Sequence, residues 1–198
     1  MPGWAWALIA VAAILVIALV AWQALRARRT RTLQDRFGPE YDRTIDRADG
    51  RRDAEAELEA RAKRRDELDI RPLTNASRTR YLDEWQRVQA RFVDDPVGAV
   101  QESDRVIQAV MRERGYPVDN FDQRAADISV DHPEVVENYR EGHRLALSSA
   151  TGDGTTEELR QAMVHYRGLF DELLEDTADG PMAREDGAAA PSGQTYSR

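Results

Sequence analysis

The chain has no cysteine among its 198 residues, which excludes disulfides, thiolate zinc sites and a cysteine nucleophile while leaving either redox compartment open. Lysine is almost as scarce. Lys63 stands alone in a set of bases otherwise made of arginine, a pattern of genome composition from which no function follows. Also missing are an HExxH motif, histidines paired at i,i+4, a glycine-rich phosphate loop and any metal-ligand cluster. No cofactor and no metal are therefore expected, and no catalytic motif marks an enzyme. Hydrophobic residues make up 41 % of the chain, and one N-terminal run takes a large share of them. What remains is polar, with room for one modest domain and its accessories.

The charge is uneven. Residues 26–36 carry five arginines against Asp35, net +4; residues 1–25 carry none, so a whole-chain charge of -8 leaves -12 on residues 37–198. An acidic body argues against nucleic acid as a partner, because phosphate binding needs a clustered positive face.

The basic cluster follows a long greasy segment. Trp4 to Leu25, WAWALIAVAAILVIALVAWQAL, is 22 residues with Gln23 as its sole polar side chain. As a helix at about 1.5 Å per residue it is long enough to cross a ~30 Å hydrocarbon layer. Its Leu, Ile and Val side chains contribute roughly -3 to -6 kcal/mol together on the insertion scale. Trp4 and Trp6 mark one end and Trp22 the other, about 27 Å apart along a helix, which suits two interfacial aromatic belts. A cleaved signal peptide fits less well: no base precedes the core, and Trp22 and Leu25 occupy the -3 positions before Ala24 and Ala27, where small residues are needed. Arg26, Arg28, Arg29 and Arg31 follow the segment directly, so the positive-inside rule predicts a single-pass membrane protein with its C-terminal body in the cytoplasm. The lipid bilayer is thus the first expected partner, and each base near anionic lipid adds about 1 kcal/mol. Ala10, Ala13 and Ala21 permit helix pairing, so a homodimer stays open, although no GxxxG occurs.

Beyond the membrane the spacing predicts an all-α chain. Leu33, Phe37, Tyr41 and Ile45 recur every four residues, interrupted at Gly38-Pro39, where a kink or helix restart is expected. From Glu40 to Leu68 the sequence is dense in charge, with Glu57–Arg61 and Glu59–Lys63 in the favourable i,i+4 orientation. A heptad register through Tyr41 and Ala48 next meets Glu55, Ala62 and Asp69, so a solvated helical stalk is expected in preference to a coiled coil. After Arg71-Pro72 come amphipathic segments joined by short loops, the pattern of an antiparallel helical bundle. Thr74 caps a helix with Tyr81, Trp85, Val88 and Phe92 inward. Asp95-Pro96 starts another with Val97, Val100, Ile107 and Val110 or Met111 inward, ended by Gly115 and Pro117. A short helix after Asp119 uses Phe121, Ala125 and Ile128. Thr155 and Glu158 form a capping box before a last helix with Leu159, Met163, Tyr166, Phe170 and Leu173 on one face. From residue 176 onward Asp, Gly, Ala, Pro and Ser dominate, and a disordered tail is expected. The boundaries are a transmembrane anchor at 1–25, a basic juxtamembrane segment at 26–36, a stalk at 37–70, a bundle at 71–175 and a tail at 176–198.

Ser129 to Val136, SVDHPEVV, gathers a serine, two acids and a histidine, and admits two readings. As a helix start, Asp131 is the N-cap, His132 and Pro133 fill the first turn, Glu134 completes a capping box, and Val130 and Val135 form a hydrophobic staple. As a Ser-His-Asp site it fits less well, because residues adjacent at one helix start rarely converge as a triad requires. Among the other histidines, His143 falls on an apolar face with Val136, Tyr139, Ala146, Leu147 and Ala150, and should be half or fully buried, whereas His165 lies about 100° from its helix's apolar stripe.

The phrases RFGPEYDR (36–43), LDIRPL (68–73), RFVDDP (91–96), RGYPV (114–118) and RAADISVDHPEVVENYR (124–140) resemble an uncharacterised, largely actinobacterial family of bacterial membrane or secreted proteins. The likeness covers about residues 33–175. It implies an anchored helical domain in a bacterial envelope and brings no activity with it; the secreted label also keeps an extracytoplasmic placement open. The expected function is a non-enzymatic protein-interaction module at the membrane, with a protein partner. The alternative is an enzyme or small-ligand binder with a pocket lined by Tyr139, His143 and Tyr166.

Overall fold

The computed structural model describes the backbone of residues 3–150 and 154–175, and the side chains of Trp4, residues 13–149 and residues 154–175. Eight helices follow one another with no strand among the described residues: α1 (Gly3–Phe37), α2 (Pro39–Arg47), α3 (Arg51–Asp66), α4 (Asn75–Arg91), α5 (Pro96–Arg114), α6 (Phe121–Asp131), α7 (Val136–Ala150) and α8 (Thr156–Glu175). The fold is all-α. The expected tail, 176–198, lies outside the described residues.

Local chemistry sets most of the boundaries. The Thr74 hydroxyl accepts from the Ser77 amide at 3.1 Å, and the Asp95 carboxylate accepts from the Gly98 amide at 2.9 Å with Pro96 in the first turn. Each satisfies a donor that the first helical turn leaves without a partner. Thr155 and Glu158 bond reciprocally, amide to carboxylate at 2.7 Å and amide to hydroxyl at 3.2 Å, as a capping box should. The short α6 is capped by Asn120, one residue later than Asp119. Gly115 ends α5 at φ 101, and a Cβ there would sit 2.4 Å from the Asp69 carbonyl oxygen. At Gly38, φ 44, the long first helix breaks and restarts at Pro39.

Four helices make the principal bundle. Trp85 of α4 stacks on Phe170 of α8 with ring centroids 4.4 Å apart, and Val100, Ile107, Val110 and Met111 of α5 fill the space beside them. Consecutive neighbours run antiparallel, but α5 and α8 run parallel: Ser103 meets Met163 near one end and Arg114 meets the Leu173 carbonyl near the other. A bundle in which every helix opposes its neighbours is therefore not what forms, because α6 and its flanking loops carry the chain across before α7 descends. Val97 and Leu147, expected inward, are 41 % and 56 % exposed. Leu145, and not Leu147, is the buried leucine of α7. Phe92 and Met163 are half-buried at the edge of the core.

The stalk is the largest correction. α2 and α3 do not stand free in solvent; they fold back on the end of α1 and dock on α6. Leu33, Phe37, Tyr41, Leu58, Ala62 and Val130 form a second apolar cluster. The inward face of α3 is Ala54, Leu58 and Ala62, spaced by one helical turn. Small side chains let it lie close while its arginines reach around to acids on neighbouring helices.

Candidate functional site

A helix does start within SVDHPEVV, but at Val136 and without Asp131 as its N-cap. α6 continues through Asp131, His132 closes it, and the His132 carbonyl accepts from the Val135 and Val136 amides as α7 begins. Two distant groups claim the Asp131 carboxylate: Arg65 Nε and the Tyr116 hydroxyl each donate to Oδ2 at 2.5 Å. Val130 goes to the second apolar cluster while Val135 packs on the main core, so no staple joins them. Ser129 Oγ donates to the Ala126 carbonyl at 2.7 Å and accepts from Arg61 at 3.3 Å. His132 is buried, with Nδ1 3.4 Å from Glu172. Serine, histidine and acid thus point to three different places, and no triad is assembled.

Tyr139, His143 and Tyr166 do come near one another, in a closed arrangement. Both tyrosines are fully buried, their rings 6.0 Å apart. The Tyr139 hydroxyl accepts from Arg124 Nε at 3.0 Å and donates to Asp104 at 3.2 Å. Burial, helped by the Asp104 charge, pushes both phenols far up, so neither serves as base or nucleophile near neutral pH. His143 is half-buried and lies flat against Phe121, ring centroids 3.7 Å apart and planes within 9°. Burial depresses its pKa, Arg124 adds to the depression, and Asp104 and Asp122 only partly oppose it. A neutral imidazole stacked on a phenyl ring beside two sealed phenols is a packing unit. His165 sits at the rim, Nδ1 3.3 Å from Asn138 Oδ1.

The charged residues that matter were hidden within the supposed stalk. Glu40 is 1 % exposed, and it accepts two hydrogen bonds from Arg140 of α7, both 2.7 Å, and one from Arg61 of α3 at 2.8 Å. Burial raises its pKa, but the bonds and charges of Arg140 and Arg61 outweigh that, and the carboxyl is held below its ordinary value. Arg64 reaches Asp127 at 3.3 Å. There burial dominates: the Asp127 pKa is raised despite Gln123, Arg64 and Arg61, and its Oδ2 is buried without a hydrogen bond among the described residues. This ionic seam joins α2 and α3 to α6 and α7. The one sequence signal for it was the small-apolar stripe Ala54, Leu58, Ala62, which a fully solvated helix does not need.

At the other end, Trp22 is 57 % exposed, and the Arg26 guanidinium lies 5.6 Å from its ring centroid. Arg28 and Arg31 are exposed without a partner among the described residues, and Arg29 stands 4.0 Å from Glu59. Trp4 is exposed; the Trp6 side chain lies outside the described residues. Among the described residues no helix is both long and apolar enough to cross a membrane. The expected span at 4–25 falls in part on residues 5–12, whose side chains are outside them. No group of histidine and acidic side chains suited to a metal occurs among the described residues. No family model, no curated protein and no solved structure matches the chain.

Proposed function

We propose that the protein is a single-pass, membrane-anchored helical module that works by binding another protein, without catalysis of its own. The observation that carries this reading is the bare apolar surface of α1. Ile14, Leu15, Val16, Ile17, Leu19, Val20, Trp22 and Leu25 are all exposed, on a helix whose next turns, at Leu33 and Phe37, are buried in the body. An apolar patch that runs all the way round a helix has no place in water and calls for lipid. The arginines directly after it favour a cytoplasmic body. The resemblance carried by phrases such as RFGPEYDR supports the same envelope setting, and the closed Tyr139–His143–Tyr166 unit speaks against the pocket alternative.

Two measurements test this. Alkaline carbonate washing of membranes from expressing cells should leave the full chain in the pellet; release into the wash refutes the anchor. The chain lacks cysteine, so Ser197→Cys supplies one unique thiol. It should resist a membrane-impermeant thiol reagent until the cells are lysed, and labelling of intact cells refutes the cytoplasmic placement. Crosslinking in the native membrane should then trap the body with a second protein.

A further inference from the structure

Helix α3 runs alongside the end of α1 in the same direction. Thr30 donates to Glu55 at 2.9 Å and Arg36 to Asp66 at 2.8 Å. This packing carries the first turn of α3, far along the chain, back to the level of the juxtamembrane arginines. A cleft of about 500 Å³ opens there, lined by Trp22, Gln23, Arg26, Arg31, Gln34 and Arg51 among others, and no acid lines it among the described residues.

The cleft's guanidiniums have free donors. Arg31 has no partner among the described residues, and Arg26 lies over the face of Trp22 and within reach of the Glu55 charge without a hydrogen bond to it among the described residues. Arg51 uses Nε alone, 3.1 Å from the Tyr41 hydroxyl and 3.3 Å from Glu55, which leaves both terminal nitrogens unspent. Glu55 is nearby but engaged by Thr30, Tyr41 and Arg51. Gly50, the N-cap of α3, offers no side-chain oxygen to the first-turn amides, and Asp53 in that turn offsets part of the positive field of the helix end.

From this geometry we infer that the cleft between α1 and the first turn of α3 is a binding site for a phosphate-bearing anion, namely the headgroup of an anionic phospholipid. Three guanidiniums, faced at the edge by Glu55 alone, leave a net positive charge that suits a phosphate, which arginine binds through paired N–H donors. Trp22 and the amides of Gln23 and Gln34 supply a wall that is apolar at one end and polar at the other. Arg26 and Arg31 lie about 6 and 13 Å beyond Trp22 along the helix, so the cleft begins where an interfacial tryptophan places the headgroup layer. The site rests on the anchored reading and goes beyond it, because Arg51 belongs to no juxtamembrane charge rule.

The test reconstitutes the full chain in nanodiscs of phosphatidylcholine containing one part in five phosphatidylglycerol, and counts lipid retained after gentle detergent release by native mass spectrometry. The wild-type chain should retain phosphatidylglycerol over phosphatidylcholine. Arg31→Gln and Arg51→Gln should each lower that retention about five-fold, the equivalent of about 1 kcal/mol per base near anionic lipid. Arg28→Gln, which removes an equal charge outside the cleft, should leave it within two-fold. Equal losses in all three variants would mean diffuse attraction and overturn the site, as would no selectivity in the wild type. The Arg31 side chain makes no bond among the described residues, so its variant stays informative if Arg51→Gln unfolds. Inorganic phosphate at millimolar concentration should displace the lipid; phosphate bound in an Arg31-dependent way without lipid retention would overturn the headgroup assignment. Loss of the chain to carbonate washing is a separate result that refutes the anchor, and the phosphate arm, run in detergent, still decides the cleft.

Discussion

Glu40 and Arg140 lie 100 residues apart and meet through two parallel hydrogen bonds of 2.7 Å each. Arg61 completes the group from a third helix, so a single buried carboxylate ties α2, α3 and α7 together. Such a cluster costs much of what its attraction returns, since each charge must leave water. Its effect is on which surfaces dock: an apolar substitute would let α3 slide, whereas a forked guanidinium accepts the carboxylate in one orientation.

Replacing that carboxylate should loosen the docked helices first. Glu40→Gln removes the buried carboxylate and leaves Arg61 to Glu57 and Arg140 to the more distant Glu137, and should cost about 2–4 kcal/mol. Hydrogen exchange should quicken through residues 40–66 while amides around Trp85 stay protected. The pH sign follows from the lowered pKa: the stabilisation is present above the unfolded value of about 4.5 and is lost as pH falls through the lower folded value. The stability obtained from urea titrations should therefore fall more steeply in the wild type than in the variant as pH drops below about 4.5.

Asp127 should behave in the opposite way. Burial raises its pKa above 3.8, so its contribution favours folding at acid pH and fades as pH rises through the folded value. Asp127→Asn removes a desolvated charge and keeps the acceptor that Gln123 uses. Stability at pH 7 should equal or exceed that of the wild type by thermal melting, and a loss above about 1 kcal/mol would contradict this account.

His143 should titrate below 6.5 when followed by proton NMR, because burial disfavours its charged form. Its contribution to stability is then present above the unfolded value and diminishes as pH falls below about 6.5. His143→Ala should remove that dependence and cost about 0.5–1.5 kcal/mol for the lost stacking on Phe121.

Two glycines separate close approach from mere turn geometry. A Cβ at Gly142 of α7 would lie 2.8 Å from the Tyr166 ring, whereas one at Gly50 would meet nothing within 4 Å. Gly142→Ala should therefore cost about 1–3 kcal/mol by forcing α7 and α8 apart. Gly50→Ala, in extended backbone at φ 174, should stay within about 0.5 kcal/mol. Chemical denaturation of the pair checks both.

What was legible in the residues was local. Thr74, Asp95, Gly115 and the Thr155–Glu158 box act within one helical turn, so their chemistry is visible without the fold. SVDHPEVV misled because its cap signals were equally local, but Arg65 and Tyr116 offered Asp131 better partners from elsewhere. The segment 37–70 misled because a charge-dense helix reads as solvated, and no pattern within it announces that Arg61 and Arg140 will close on Glu40. The candidate pocket was placed on neighbouring residues, yet whether it opens depended on how tightly α7 meets α8 at Gly142.

By itself the sequence determined that this chain is helical, where most helices begin and end, and that one helix carries an apolar surface beside a belt of arginines; these follow from side-chain periodicity and capping, which act over a few residues. Only the tertiary structure decided that α2 and α3 fold back, that acids and arginines a hundred residues apart neutralise one another, and that Arg51 joins Arg26 and Arg31 at one cleft. Those outcomes depend on the competition of distant partners for the same buried charge, and only packing in three dimensions resolves it.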